Sequence, residues 1–203
     1  MPRTDRNPRQ RLDPDARRQM ILQAAVRIFA QQPYSEVSLG AIAKQAEASP
    51  ALVYRYFKNK ERLYLEVANL AIANLQQRQE DALVAMPQDL PVLKKIKKLT
   101  NVYLDHIATH PQAWSMPLLV PGSEPSAMAQ TRRLARKTYV ENLGDMLEIG
   151  DGLREDYALW GYFGFVDAAC LRWVELGCND EDRDVLIETI LGALEGALGN
   201  LDT

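Results

Sequence analysis

Cysteine is almost absent from this chain, with Cys170 and Cys178 as the whole complement. Two thiols cannot build a disulfide framework, so a reducing compartment is expected. Histidine is equally scarce. His106 and His110 are four apart and would share one helical face, yet no third ligand of matching character is nearby, so no metal site is expected. His110 also precedes Pro111, where it suits a helix end. Two histidines and two cysteines allow few nucleophile and base pairs. The GxSxG elbow, the phosphate loop and the dinucleotide fingerprint are all missing, so neither an enzymatic activity nor a cofactor is expected. No apolar run approaches the roughly 20 residues of a membrane-spanning helix. The N-terminus is basic and polar without a signal-peptide apolar segment, so the expected place is the cytoplasm, with no membrane partner.

Against these absences stands one information-rich stretch, Val37 to Leu63, reading VSLGAIAKQAEASPALVYRYFKNKERL. Val37 and Ser38 suit the staple and N-cap of a short helix whose buried stripe is Leu39, Ile42, Ala43 and Ala46. Glu47 and Ala48 make a turn. Ser49 is placed to cap a second helix, and Pro50 fits its first position because the missing N–H would have had no partner there. Val53 and Phe57 face inward. That leaves Pro50, Ala51, Leu52, Tyr54, Arg55 and Tyr56 outward, followed by Lys58, Lys60 and Arg62. Such a surface is costly as core and useful against phosphates and base edges, which is the chemistry of a helix-turn-helix.

At these residues the chain resembles the TetR family of one-component transcriptional regulators. The resemblance rests on Ser38, on Ile42-Ala43, on Ser49, on the run Val53-Tyr54-Arg55-Tyr56-Phe57 and on Lys60-Glu61. It covers roughly the first third of the chain. The turn departs from the family where a glycine is usual and Glu47 stands instead, so a non-glycine residue is expected at positive φ, at a cost of about 1 kcal/mol. Val53 in place of the usual leucine is a packing change. The resemblance implies a DNA-binding regulator, expected to be a repressor, that forms a homodimer on a palindromic operator and is released by a small-molecule effector. On that basis Tyr54, Tyr56, Lys58 and Lys60 are expected to hold phosphates, with Ser38 and Ser49 at the helix starts beside them. Arg55, Pro50, Ala51 and Leu52 are expected to approach the bases.

The charge pattern agrees. The formal total is −3, but residues 1–62 hold 12 Lys or Arg against 6 Asp or Glu, while residues 63–203 hold 12 against 21. The basic half of this asymmetry coincides with the motif, as phosphate neutralisation requires.

The expected architecture is all-α, with helical periodicity nearly throughout. Residues 1–12 read as a disordered basic arm, residues 13–62 as the three-helix DNA-binding domain, and residues 63–203 as a helical effector-binding and dimerisation domain. Helix one opens at Asp13-Pro14 and is stopped by Pro33. Asn59 caps a long fourth helix to about Met86. A fifth spans Leu90 to His110, Pro117 to Pro125 is a loop, and a further helix runs from Ser126 to about Ile149. Two apolar helices follow, about Arg154 to Leu176 and Glu181 to Leu201, whose small residues suit a four-helix dimer interface. In the centre, Tyr103, His106, Trp114, Met116, Met128, Tyr139, Trp160, Phe163 and Asp167 form an aromatic and methionine-rich set suited to a mostly apolar pocket. A packed core would use the same residues. Asp167, amid GYFGFVDAACLRW, needs a partner if buried, which a ligand, another helix or a dimer mate would supply.

Overall fold

The computed structural model describes residues 13–120 and 122–199, so the expected basic arm lies outside the described residues. These form an all-helical chain without a strand among them. The first three helices are α1 (Pro14–Phe29), α2 (Leu39–Gln45) and α3 (Pro50–Phe57), and α4 (Lys60–Val84) is the long connector. Then come α5 (Val92–Thr109), α6 (Pro111–Leu119), α7 (Ser126–Met146), α8 (Leu153–Glu175) and α9 (Arg183–Leu198). Two expected boundaries shift. Helix one ends at Phe29 rather than at Pro33, because residues from Ala30 onward form turns ahead of the proline. The expected loop from Pro117 also begins later, since Pro117 closes the last turn of α6.

Local chemistry sets the starts of the N-terminal helices. The Asp13 carboxylate accepts from the amides of Asp15 and Ala16, and the Ser38 hydroxyl from the amide of Ala41 at 3.1 Å. Ser49 accepts from Leu52 at 3.2 Å and Asn59 from Arg62 at 2.8 Å. Each satisfies a donor that the first helical turn would otherwise leave unpaired. Between α2 and α3 the chain turns through Glu47 at φ 49°, the positive value expected of that position.

Two apolar cores result. The first gathers Ile21, Ala25 and Phe29 of α1, Ile42 and Ala43 of α2, and Val53 and Phe57 of α3. It also takes in Leu63, which is fully buried, with Tyr64 and Val67 packed against it. The N-terminal unit therefore extends beyond residue 62 into the first two turns of α4. The second core joins Ile96, Leu104 and Ile107 of α5 to Tyr162, Val166, Cys170 and Trp173 of α8 and to Ile187, Ile190 and Leu194 of α9. An unbroken α4 runs from one to the other, packing on α1 at one end and on α5 and α7 further along.

Glu47 yields the first test. A left-handed conformation costs a residue with a Cβ about 1–2 kcal/mol, and glycine adopts it freely but loses more chain entropy on folding. Glu47→Gly is expected to stabilise the chain by roughly 0.5–1 kcal/mol. A rise in the urea midpoint at constant slope checks this.

Candidate nucleic-acid interface and central cavity

The outer face of α3 is laid out by its own periodicity. With Val53 and Phe57 turned into the first core, Pro50, Ala51, Tyr54 and Arg55 are left exposed, Tyr54 by 54%. Ser38 and Ser49 are exposed too, although each hydroxyl is engaged as a cap. Leu52 and Tyr56 are only half-buried and lean on the core, so each offers one edge to the outside. Lys58 is fully on the surface. Its backbone sits at φ 60°, ψ −45°, and the Asn59 amide donates to the Phe57 carbonyl at 2.6 Å. That is a γ-turn of the strained hand, and it joins α3 to α4 with almost no slack.

Lys60 departs from the expected row. Its ammonium donates to the backbone carbonyl of Tyr34 at 2.8 Å and stands 4.2 Å from the centre of that residue's ring. The side chain is thus committed inward, to closing the turn after α1, and is withdrawn from the exposed cations. Lys44, in the last turn of α2, is exposed beside α3 and adds a cation that is not among those expected from the sequence. Its signal was available: a lone cation on the polar side of a short capped helix.

Above this unit lies a cavity of about 1260 Å³ that extends from Phe29, Tyr34 and Tyr64 at the junction up to Tyr103, Trp114 and Phe163. Seven of the nine residues expected in the pocket line it: Tyr103, His106, Trp114, Met116, Tyr139, Phe163 and Asp167. Met128 and Trp160 do not. Met128 is wholly buried near the start of α7, and Trp160 stands on α8 ahead of Tyr162, the first residue of that helix to reach the cavity.

The polar groups of the cavity are arranged in pairs. The Trp114 indole N–H donates to the Tyr103 hydroxyl at 2.9 Å. Burial, with Asp167 nearby, pushes the Tyr103 phenol far up, so it stays protonated. Asp167 accepts from Arg136 of α7, so its partner is another helix. One turn earlier on α7, Arg132 donates through Nε to both oxygens of Glu124, at 3.1 and 3.0 Å. The Tyr64 hydroxyl donates to the same carboxylate at 3.3 Å. The Tyr139 hydroxyl is buried without a partner among the described residues, and burial raises its pKa to about 12. Arg132, Arg136, Glu124 and Tyr64 were not expected. Their hint was the run RRLARK, which sets Arg132 and Arg136 on one helical face.

Among the described residues no cluster of three or more metal-ligating side chains occurs, and no helix is long and apolar enough to cross a membrane. Capped α2 and α3 form a helix-turn-helix unit with an exposed polar face, joined by a long helix to a helical body with a roomy cavity. Comparison with known proteins agrees. The sequence model for bacterial regulatory proteins of the tetR family matches residues 21–67, a span that lies within the N-terminal unit and the start of α4. The transcriptional regulator AcrR of Shigella flexneri is 39% identical over 80 residues, 39% of this chain and 37% of its own length. A tetR-family regulator from Streptomyces coelicolor shares the fold with a TM-score of 0.78 at 19% identity, covering 91% of this chain and 81% of the other. FadR of Bacillus subtilis, solved in complex with stearoyl-CoA, gives 0.69 at 23% identity over 87% of this chain and 96% of its own. The curated relatives it matches first align with it over less than half of their length, 48% and 37%.

His106 supplies a pH test. Burial lowers its pKa below the usual 6.5, and the cationic neighbours Arg78, His110 and Arg132 lower it further. The unfolded chain takes up a proton that the folded chain refuses, so folded stability is lost as pH falls below the unfolded value. Wild type is therefore expected to lose more stability than His106→Gln between pH 7.5 and pH 5.5. Paired thermal melts at the two pH values measure the difference.

Proposed function

We propose that the chain is a sequence-specific DNA-binding transcriptional regulator, a repressor whose grip on its operator is relieved by an apolar or amphipathic small molecule in the central cavity. The observation that carries this reading is the Ser49-capped α3 presenting Pro50, Ala51, Tyr54 and Arg55 outward while α4 ties that unit to the cavity. In this reading α3 enters the major groove. Arg55 takes the two acceptors of a guanine, and Ala51 with the exposed edge of Leu52 meets thymine methyls beside Pro50. Tyr54, Tyr56, Lys58, Lys44 and the cap hydroxyls of Ser38 and Ser49 hold the backbone.

The cavity is suited to a long molecule, because its walls run from Phe29 and Tyr34 in the N-terminal unit to Ile96 of α5 and Tyr162 of α8. A structurally similar regulator that binds stearoyl-CoA supports an amphiphile of that length. Two copies would meet through the outer faces of α8 and α9. There Gly161, Gly164, Gly192 and Gly196 have open space where a side chain would stand. Tyr157, Phe165 and Val185 are exposed beside them. Close backbone approach and apolar burial are what a four-helix interface requires.

DNA selected from a random duplex pool supplies the operator for two tests. Arg55→Ala is expected to relax base preference at one position by about 1–3 kcal/mol. Lys58→Ala is expected to weaken all duplexes and flatten the slope of log affinity against log salt by about one unit. Lys60→Ala should leave that slope alone and lower thermal stability, because its ammonium serves Tyr34. Titrations across a salt series decide among the three.

The interface has its own test. Gly196→Arg is expected to give a monomer with an intact helical spectrum that binds the selected duplex weakly, since one dimer joins two half-sites into a single event. Sedimentation of this variant as a dimer would move the interface elsewhere.

A further inference from the structure

Four arginines line the cavity, Arg78, Arg132, Arg133 and Arg136, against only two carboxylates, Glu80 and Asp167. Asp105 and Glu124, which pair with Arg78 and Arg132 from outside the lining, balance the charge, so what the wall offers an anion is guanidinium donors left over from these pairs. Arg132 and Arg136 are one turn apart on α7, and neither guanidinium is saturated. Arg132 reaches Glu124 through Nε alone, and Arg136 reaches Asp167 through a single terminal nitrogen. Among the described residues the remaining N–H groups of both forks have no hydrogen-bond partner in the chain. A guanidinium offers five donors in a planar fork that matches a carboxylate or phosphate two atoms at a time. Two such forks one turn apart make a receptor for an anion.

Glu124 gives this receptor a consequence. Its side chain is only 9% exposed, and its oxygens are held by Arg132 and by the hydroxyl of Tyr64. Tyr64 belongs to the other unit. Its ring meets Phe29 and Tyr34 edge-on, each at 5.0 Å between centres, at the edge of the first core. Glu124 is thus the tie between the cavity wall and the DNA-reading end of the molecule. A buried carboxylate is stable only while its counter-charge is present, and a second anion on Arg132 would divide that counter-charge between two acceptors.

We infer that Arg132 and Arg136 form an anion subsite for the head group of an amphipathic ligand, and that Glu124 is the counter-ion displaced when the head group binds, releasing Tyr64 and with it the N-terminal unit. The inference rests on the cavity being the effector site. It adds the charge of the effector and the point at which occupancy is read. The apolar tail lies along Trp114, Met116 and Phe163, and the head group sits against α7.

Matched probes test it: dodecanoate and dodecanol, which differ in charge at one end, titrated calorimetrically into the full chain. Wild type is expected to bind dodecanoate at least about tenfold more tightly than dodecanol, the yield of one charge-assisted pair. Arg132→Gln should bring the two affinities within about threefold, because the fork is gone. Glu124→Gln should widen the dodecanoate-to-dodecanol ratio about tenfold, because no internal carboxylate then competes. Dodecanol binding by each variant reports that the cavity is still formed, and Arg136→Gln, which leaves the Tyr64 tie in place, is a second route to the same loss of preference. Tyr64→Phe should shrink the change in operator affinity that dodecanoate produces. Equal affinity of wild type for the two probes, or an unchanged ratio in Glu124→Gln, overturns the subsite while leaving the cavity as an apolar effector site. Failure of both probes to bind wild type overturns the subsite together with the effector reading. DNA binding, measured separately, stands or falls by itself.

Discussion

The structure depends on one helix that is rooted in the first core and packs on α5 and α7 beyond it. Leu63 of α4 is fully buried against α1, α2 and α3, and Leu75 is buried further along the same unbroken helix. The Arg18 guanidinium of α1 lies over the Phe57 ring at 4.9 Å and also pairs with Glu66 of α4. The start of α4 therefore cannot rotate independently of the reading helix. The γ-turn at Lys58 removes the remaining slack. At 25 residues and 1.5 Å per residue the helix is about 37 Å long, so a tilt of about five degrees at one end displaces the other by about 3 Å. A displacement of that size would matter to the proposed fit of α3 in a groove, and no large rearrangement is needed to produce it.

The cavity wall follows a second constraint, that charge taken out of water must be paired. Asp167 and Glu124 are the least exposed carboxylates with an ion-pair partner, at 18% and 9%, and both partners come from α7. Pairing of this kind contributes little net stability, since desolvation offsets most of the Coulombic gain. Its effect is geometric. It fixes α7 against α8 through Asp167 and against the junction through Glu124 and Tyr64. The same low-dielectric surroundings that make these pairs hard to break also make them sensitive to any third charge brought close.

The features that could be read in advance were local ones. Ser38, Ser49 and Asn59 cap helices three residues ahead, so their roles are written in spacing, whereas the positive φ of Glu47 was implied by the family resemblance, which places a glycine there. The inward bond of Lys60 is not legible in the sequence, because its partner, the Tyr34 carbonyl, is 26 residues away and no periodicity points to it. The Tyr64 to Glu124 contact spans 60 residues and is invisible for the same reason. Asp167 announced that it needed a partner, but its sequence neighbours did not say which helix would provide it. Met128 and Trp160 fit the composition of a cavity wall as well as their neighbours do, and only depth and height along their helices separate them from it.

The tie at Tyr64 can be set against what a switch demands. A hydrogen bond to a charged acceptor contributes about 1.5–3 kcal/mol, and at 3.3 Å this one belongs near the lower figure. In a dimer both ties would be released, giving about 3 kcal/mol, or roughly a hundredfold in operator affinity. Moving a two-state equilibrium from 1:99 to 99:1 takes about 5.5 kcal/mol. On the proposed mechanism, release of Tyr64 would therefore provide about half of a complete switch. The other half must come from contacts that favour the tilted form of α4 itself. The tail end of the cavity is where such contacts arise, because an apolar chain laid along α4 between Leu75 and Leu83 fills space differently in the two positions of the helix. A head group alone would loosen the reading unit, and a tail alone would shift it. On the proposed reading, full release from DNA would take a ligand with both.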